Sequence, residues 1–211
     1  KQNVNARFIN YYKELQFLPW NFQQPMSNVL LRVATVEDAK AIQAIYAPYV
    51  ETTAITFEEV VPSVEEFEGR IQKTLENFPY LVLEEDGEVV GYAYAGRFSA
   101  RAAFDWSTEV SIYISLNHQR KGYGKLLYAA LEEKLLELGY QNIYACVAVP
   151  EVEDEYLTMN SVNYHKYLGF EECGHFKKCG CKFNRWYDIV WLQKHGATTI
   201  PTKRPDRFTK L

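Results

Sequence analysis

Long hydrophobic runs are missing from this chain of 211 residues, and neither sign of charge is in strong excess. No apolar stretch approaches the ~20 residues that a transmembrane helix needs, and the first residues lack the continuous apolar core of a secretory signal. The net charge of −4 does not favour non-specific binding to nucleic acid or to an anionic membrane. We therefore expect a cytoplasmic protein with no nucleic-acid or membrane partner, and the hydrophobic content of 47% is that of a globular domain.

Cysteine is also scarce, with four residues at Cys146, Cys173, Cys179 and Cys181. The last three could form a metal site with His175, but the spacing C-x-H-x3-C-x-C matches none of the common zinc patterns. We therefore expect no metal, and reduced thiols that pack as small apolar groups.

Glycine marks the most informative segment, residues 119–124, which read Gln-Arg-Lys-Gly-Tyr-Gly. The segment lies between a strand-like stretch, Glu109 to Leu116, and a helix-like one, Lys125 to Leu138, which Gly139 is well placed to end. Such a junction exposes backbone N–H groups at the positive end of a helix dipole, so a diphosphate can bind there without a metal. Lys121 and Lys125 would add positive charge. The plainer alternative is an ordinary strand-to-helix connection.

The order of strand-like and helix-like stretches predicts an α+β domain with a largely antiparallel sheet. Asp86-Gly87, between two strand-like stretches, is typical of a two-residue hairpin turn. Two final strands, near Glu171 to Cys179 and Phe183 to Gln193, are expected to pair antiparallel. We predict three parts: an aromatic-rich arm at residues 1–28, the domain at 29–195, and a basic tail at 196–211 that is either an extended strap or disordered.

From about Leu30 to Lys194 the chain resembles the GNAT N-acetyltransferase superfamily, and more closely its phosphinothricin and methionine sulfone/sulfoximine acetyltransferase branch. The residues that carry the likeness are the 119–124 loop, Ile55-Thr56-Phe57 with Pro62, Arg101 to Glu109, Asn160-Ser161, His165 to Phe170, Lys182-Phe183 and Trp186-Tyr187-Asp188. The resemblance implies the GNAT fold, whose mixed, mostly antiparallel sheet has splayed central strands and flanking helices. It also implies a homodimer that transfers acetyl from acetyl-CoA to the amine of a small amino-acid-like substrate.

Acyl transfer from a thioester to an amine needs an unprotonated amine, hydrogen-bond donors for the oxyanion and a proton for the departing thiolate. Glu109 matches the acidic residue that the family uses as base, and the period of two along a strand places it on one face with Tyr113. His165 stands where general GNAT enzymes often have tyrosine and this branch has histidine; it can protonate sulfur or take the amine proton through water. The alternatives are an exposed strand-end carboxylate and a packed or surface histidine.

By the same resemblance, acetyl-CoA is expected to be bound by the central strand, the phosphate loop and a helix-start asparagine, whose alternative role is an N-cap. These cofactor-binding residues are Ile112, Tyr113, Ile114, Gln119, Arg120, Lys121, Gly122, Tyr123, Gly124, Lys125 and Asn160. The substrate pocket is expected to comprise Phe57, Arg101, Phe104, Tyr113, Lys182 and Trp186. Arg101 can hold a carboxylate or phosphinate through two parallel hydrogen bonds. Phe104 stands where the herbicide-resistance enzymes carry tyrosine, and this missing hydroxyl leaves the identity of the acceptor open.

Two other functions are compatible with the same fold. A peptide or protein N-terminal acetyltransferase would need an open groove, whereas the aromatic pocket residues and the arm indicate closure. A non-catalytic CoA-binding module would have no need for either Glu109 or His165, so the presence of both argues against it.

Overall fold

A computed structural model describes residues 28–196 and 200–208, so the expected aromatic-rich arm, apart from Asn28, lies outside the described residues. The strands are β1 (Val29–Val33), β2 (Tyr80–Glu85), β3 (Glu88–Arg97), β4 (Ser107–Ile114), β5 (Asn142–Val149), β6 (Glu171–Lys182) and β7 (Arg185–His195). They form one seven-stranded sheet in the order β1-β2-β3-β4-β5-β7-β6. Every neighbouring pair is antiparallel except β4 and β5, which confirms the predicted α+β class.

Four α-helices flank the sheet in the described part of the chain: α1 (Ala39–Thr52), α2 (Val64–Leu75), α3 (Tyr123–Leu138) and α4 (Asn160–Tyr167). Ser63 caps α2, since its side-chain oxygen accepts a hydrogen bond from the Glu66 N–H at 3.2 Å. Gly139 ends α3 in the left-handed conformation, with φ of 98°, as its sequence position indicated. Within the described residues, none of these helices is long and apolar enough to cross a membrane.

Two tight hairpin turns join neighbouring strands. Asp86 and Gly87 both have positive φ, 53° and 86°, which confirms the predicted turn between β2 and β3. Phe183 and Asn184 make a similar turn between β6 and β7, with φ of 52° and 58°. The predicted antiparallel pairing of the two final strands is confirmed. The second of them begins at Arg185 and not near Phe183, because Phe183 and Asn184 form a turn with left-handed backbone at both positions, which Asn184 accepts readily.

The two faces of the sheet carry different cores. One face packs against α3 and α4 through mainly aliphatic side chains, with Leu127 at its centre. The other face packs against α1 and α2 and is rich in tyrosine, of which Tyr92 is fully buried. Because side chains alternate along a strand, Val110 and Ile112 of β4 face the aliphatic core while Tyr113 faces the tyrosine-rich core.

β4 and β5 pair briefly and then separate. Their parallel ladder has three residue pairs, and the last of them joins Glu109 to Tyr144. β5 instead pairs along its whole length with β7. The edge of β4 from Val110 onward therefore has no ladder to β5, and a gap opens toward the carboxyl ends of both strands. This arrangement confirms the splayed central strands that the resemblance implied.

Residues 200–208 lie across one end of the sheet as an extended segment. The Trp106 indole N–H donates to the Lys203 carbonyl at 2.9 Å, and the Asp206 N–H donates to the Leu138 carbonyl at 2.7 Å. Phe208 is buried in the tyrosine-rich core beside α2, and its N–H donates to the Asn77 carbonyl at 3.1 Å. The segment thus connects the carboxyl ends of α2 and α3 to the start of β4.

Candidate active site

The gap between β4 and β5 is the centre of the candidate site. Its walls are formed by residues 110–113 of β4 and 145–148 of β5, and one end is closed by Tyr128 of α3 and His165 of α4. Unpaired strand edges offer backbone N–H and C=O groups to an extended ligand in the way that a further strand would. The gap can therefore accept a narrow, amide-containing chain.

His165 lies on the aliphatic side of this gap with both ring nitrogens engaged. Nδ1 is 2.7 Å from the Ser161 carbonyl oxygen, and Nε2 is 2.8 Å from the Tyr128 hydroxyl. Because a carbonyl can only accept, Nδ1 carries the proton and Nε2 accepts from Tyr128. The side chain is 4% exposed, and burial lowers the pKa of His165, so its ring is neutral near pH 7.

Glu109 lies on the opposite face of β4, at the point where the β4–β5 ladder ends. The side chain is half-buried, and burial raises the pKa of its carboxyl above the ordinary value. Its charge also contributes to the raised pKa of Cys146 on β5, about 11, for which local desolvation of the thiol is the main cause, although the residue as a whole is exposed. The two candidate catalytic residues thus lie on opposite faces of the sheet beside the same gap.

The predicted phosphate loop connects β4 to α3 through a left-handed glycine, Gly122, with φ of 85°. Lys121 is less available to a ligand than its sequence indicated, because its Nζ lies 2.8 and 3.1 Å from the two carboxylate oxygens of Glu85. The hydrogen bond to Glu85 raises the pKa of Lys121. Gln119 is also engaged, since its side-chain amide donates to the Tyr49 hydroxyl at 3.0 Å.

Gly124, the second residue of α3, lies directly under Tyr164 of α4. A Cβ atom at position 124 would stand 2.5 Å from the Tyr164 hydroxyl oxygen, which is closer than a non-bonded carbon and oxygen can approach. That hydroxyl is buried and has no hydrogen-bond partner among the described residues. A buried hydroxyl is costly to leave unpaired, so its place beside the loop fits a bound ligand with polar atoms, such as acetyl-CoA.

Replacing Gly124 by alanine is expected to weaken acetyl-CoA binding about tenfold, because the new methyl group displaces Tyr164 or the first turn of α3. Isothermal titration calorimetry measures the affinity. A second change, Tyr164→Leu, should restore part of it by removing the hydroxyl that clashes. Gly69→Ala, where an added Cβ meets nothing within 4 Å, is the control and should leave the affinity unchanged. Unaltered binding in Gly124→Ala would contradict this account of the loop.

Asn160 is the first residue of α4 and is exposed, while Met159 occupies the N-cap position. The alternative interpretation of Asn160 as an N-cap is therefore wrong. The exposed side-chain amide of Asn160 therefore does not cap α4, and its contact with acetyl-CoA stays a prediction.

The predicted substrate residues are dispersed, and of the six only Tyr113 lines the gap. Lys182 is buried, and its ammonium donates to the Thr56 carbonyl at 2.8 Å, next to Phe57. Phe104 is 39% exposed and packs against Phe98 at 5.7 Å between ring centres. Arg101, in the same loop, is exposed, as is Trp186 at 60%.

Two residues that the sequence did not single out contribute to the site. Tyr128 follows Leu127 on α3, where the sequence pattern indicates only an apolar helix face. The one sequence feature that could have marked it as a site residue is a tyrosine among leucines. Tyr164 precedes His165, and its packing over the loop depends on how α3 and α4 meet. Among the described residues, no group of three or more histidine, cysteine or acidic side chains could hold a metal ion.

Comparison with known proteins identifies the family to which this chain belongs. The profile of the acetyltransferase (GNAT) domain matches residues 31–191. Phosphinothricin N-acetyltransferase of Alcaligenes faecalis is 37% identical over 175 residues, which cover 81% of this chain and 86% of that protein. The L-methionine sulfoximine/L-methionine sulfone acetyltransferase of Salmonella typhimurium is 31% identical, with coverage of 77% and 92%.

A solved structure agrees with these sequence relatives. The crystal structure of a GNAT superfamily phosphinothricin acetyltransferase from Sinorhizobium meliloti, in complex with acetyl-CoA, superposes with a TM-score of 0.76 at 34% identity, covering 86% of this chain and 97% of that one. The match extends through both halves of the splayed sheet, since the profile alone runs from β1 into β7. The chain therefore belongs to the GNAT acetyltransferase family, and its resemblance to the phosphinothricin and methionine sulfoximine branch is confirmed.

Proposed function

We propose that this chain transfers the acetyl group of acetyl-CoA to the α-amine of a small amino-acid-like compound. The observation that carries the proposal is the gap between β4 and β5, with half-buried Glu109 on one side and the Tyr128–His165 pair on the other. The relatives named for phosphinothricin and for methionine sulfoximine and sulfone support this substrate class.

Acetyl-CoA would supply the activated acetyl group as a thioester. The edge of β4 at residues 112–114, which has no ladder to β5, would hold its amide-bearing arm, although the Ile114 carbonyl already accepts a hydrogen bond from the Tyr49 hydroxyl at 2.5 Å. The loop at residues 120–125 would hold its diphosphate through backbone N–H groups. The buried Tyr164 hydroxyl, which has no hydrogen-bond partner in the described part of the chain, supports binding at this place. Asn160 and Gln119 complete the proposed set, although the side chain of Gln119 is already bonded to Tyr49.

Glu109 would take the proton that the acceptor ammonium must lose before it can attack. Burial raises the pKa of the carboxyl, which makes it a better proton acceptor than an exposed glutamate. Because Glu109 shares a face with Tyr113, the acceptor would lie on the tyrosine-rich side of the sheet. Phe57, Arg101, Phe104, Lys182 and Trp186 remain proposed substrate residues.

Tyr128 and His165 would act on the opposite, aliphatic side of the gap. The hydroxyl of Tyr128 donates to neutral His165 and lines the same cavity, so the pair holds a proton close to where a thiolate would depart. A proton at that place assists the departure of sulfur. We assign this pair to the leaving group and Glu109 to the amine.

We further infer a homodimer and a cytoplasmic location. The exposed large aromatic side chains include Phe104 in the loop before β4, Phe176 on β6 and Trp186 near the start of β7. Aromatic residues of this kind are enriched in interfaces. The four cysteines are free thiols, which supports a reducing compartment. All four residues are exposed, so the prediction that they pack as small apolar groups is wrong.

Thiol release from acetyl-CoA tests the proposed function when phosphinothricin, methionine sulfone, methionine sulfoximine, free amino acids and a short peptide are offered in parallel. We expect turnover with amino-acid-like acceptors at rates at least about tenfold above that of the peptide. Turnover of the peptide alone would favour a peptide N-terminal acetyltransferase. Silence across the panel, with acetyl-CoA still bound, would favour a CoA-binding module.

A further inference from the structure

A second cavity, of about 230 Å³, lies on the tyrosine-rich face between α1, α2 and the sheet. Its walls include the rings of Tyr46, Tyr80, Tyr92 and Tyr94, and three charged residues line it as well: Glu58, Arg70 and Lys73. Tyr80, Tyr92 and Tyr94 form a cluster of three mutually stacked rings, with ring centres 4.9 to 6.4 Å apart. The cavity therefore has flat aromatic walls, the Glu58–Arg70 ion pair and a further cation, Lys73.

Glu58 brings an unsatisfied acceptor to this cavity. Its Oε1 accepts a hydrogen bond from Arg70 at 2.8 Å, whereas its Oε2 is buried and has no partner among the described residues. The side chain as a whole is 35% exposed, so the burial concerns this one oxygen. A buried carboxylate oxygen without a donor is costly, and a bound molecule that donates a hydrogen bond would remove that cost.

The charges around Glu58 select the kind of donor. Arg70 lies within the cavity wall and is also bonded to Glu66 at 2.5 Å, so it stays in place beside Glu58. A cationic ligand would be repelled by Arg70 and by Lys73, which also lines the cavity, and an anionic group has no hydrogen to donate to the Glu58 carboxylate. A neutral group with an N–H or O–H fits this pair best.

The cavity and Glu109 lie on the same face of the sheet, one strand apart. In the β3–β4 ladder Tyr94 is opposite Ser111 and Gly96 is opposite Glu109. Two residues along a strand and one strand across place the Cα atoms of Tyr94 and Glu109 about 8 Å apart. The extended side chain of a methionine-sized amino acid can span such a distance.

We propose that this cavity receives the far end of the amino-acid acceptor, and that this end is a neutral hydrogen-bond donor held by Glu58. The inference rests on the proposed function and adds a preference within its substrate class. The sulfoximine group suits the cavity because it is neutral and carries an imine N–H. The sulfone group has the same shape but presents an oxygen in place of the imine, and that oxygen would face Oε2 of Glu58, which has no donor among the described residues.

The test compares L-methionine sulfoximine with L-methionine sulfone as acceptors of the full chain, by kcat/KM from thiol release. We expect the native chain to prefer the sulfoximine by about 5- to 150-fold, the range that corresponds to leaving one buried polar group unpaired. In Glu58→Gln the amide can donate to the sulfone oxygen, so the preference should fall to about twofold or reverse. Glu66→Gln removes the other carboxylate bonded to Arg70 without altering the cavity wall, and it should keep the native preference.

Equal kcat/KM for the two acceptors in the native chain would overturn the inference while leaving acetyl transfer intact. A native-sized preference that persists in Glu58→Gln would overturn it too. Absence of turnover with both acceptors would contradict the proposed function for this class, and the inference with it. The native ratio does not depend on any variant, so the test stands even if Glu58→Gln folds poorly.

Discussion

Replacing Glu109 by glutamine is expected to lower kcat by about 10²- to 10⁴-fold, the usual contribution of a positioned general base. Glutamine keeps the size and the half-buried position of the side chain but cannot take a proton. The affinity for acetyl-CoA should stay unchanged, because Glu109 lies on the face opposite Tyr128 and His165. Steady-state thiol release and calorimetric titration with acetyl-CoA measure the two quantities.

The pH profile separates this role from a structural one. Burial raises the pKa of Glu109, so its proton leaves at a higher pH than that of an ordinary glutamate. The native kcat/KM should fall as pH falls through this raised pKa, because the protonated carboxyl cannot act as base. That acid limb should be missing in Glu109→Gln and present in Glu88→Gln, a control at an exposed strand position. An unchanged kcat in Glu109→Gln would remove Glu109 from the mechanism.

Replacing Lys194 by methionine is expected to lower the free energy of unfolding by about 3–5 kcal/mol, as the loss of one partner from a buried ion pair does. Lys194 lies on β7, and its Nζ donates to Glu132 of α3 at 2.7 Å and to the Leu168 carbonyl at 2.9 Å. The Glu132 side chain is 9% exposed and that of Lys194 is 20% exposed. The variant would leave the Glu132 charge buried without its cation. Urea denaturation measures the change.

The loss of unfolding free energy in Lys194→Met should depend on pH. Burial already raises the pKa of Glu132, and Lys194 opposes that rise, so the pKa goes up further without the lysine. A folded-state pKa above the unfolded value means that stability is lost as pH rises through it. The deficit of Lys194→Met should therefore shrink in acid, where Glu132 is neutral.

Lys134→Met is the matched control for the ion pair. The Lys134–Glu137 pair has the same 2.7 Å separation but both side chains are more exposed, so its loss should cost at most about 1 kcal/mol. A deficit of that small size in Lys194→Met would show that the Glu132–Lys194 pair is not a buried one in solution.

Local chemistry in the sequence predicted much of the fold and the position of the gap. Asp86-Gly87 and Gly139 supply backbone that few other residues adopt, so the first hairpin and the end of α3 could be placed from single residues. The 119–124 loop was located for the same reason. By contrast, the turn at Phe183-Asn184 carries no glycine, and its position depends on the pairing of β6 with β7.

Long-range contacts account for what the sequence could not show. Lys121 looks like a free cation until Glu85, 36 residues earlier, is found beside it. Glu58 is an ordinary loop glutamate in the sequence, and its place in a cavity wall beside Arg70 and the tyrosine rings is visible only in the folded structure. Tyr164 and Gly124 are 40 positions apart in the sequence numbering and meet only once α3 and α4 are packed. Such features follow from tertiary packing rather than from any spacing along the chain.

The position of the new acetyl group on L-methionine sulfoximine, after reaction with acetyl-CoA, shows which end of the acceptor lies at the gap. This acceptor offers both an α-amine and an imine nitrogen, and we place the first beside Glu109 and the second beside Glu58. Nuclear magnetic resonance of the product distinguishes the two positions. We expect acetyl on the α-amine alone; acetyl on the imine nitrogen, or no product, would show that Glu109 does not activate the α-amine of such an acceptor.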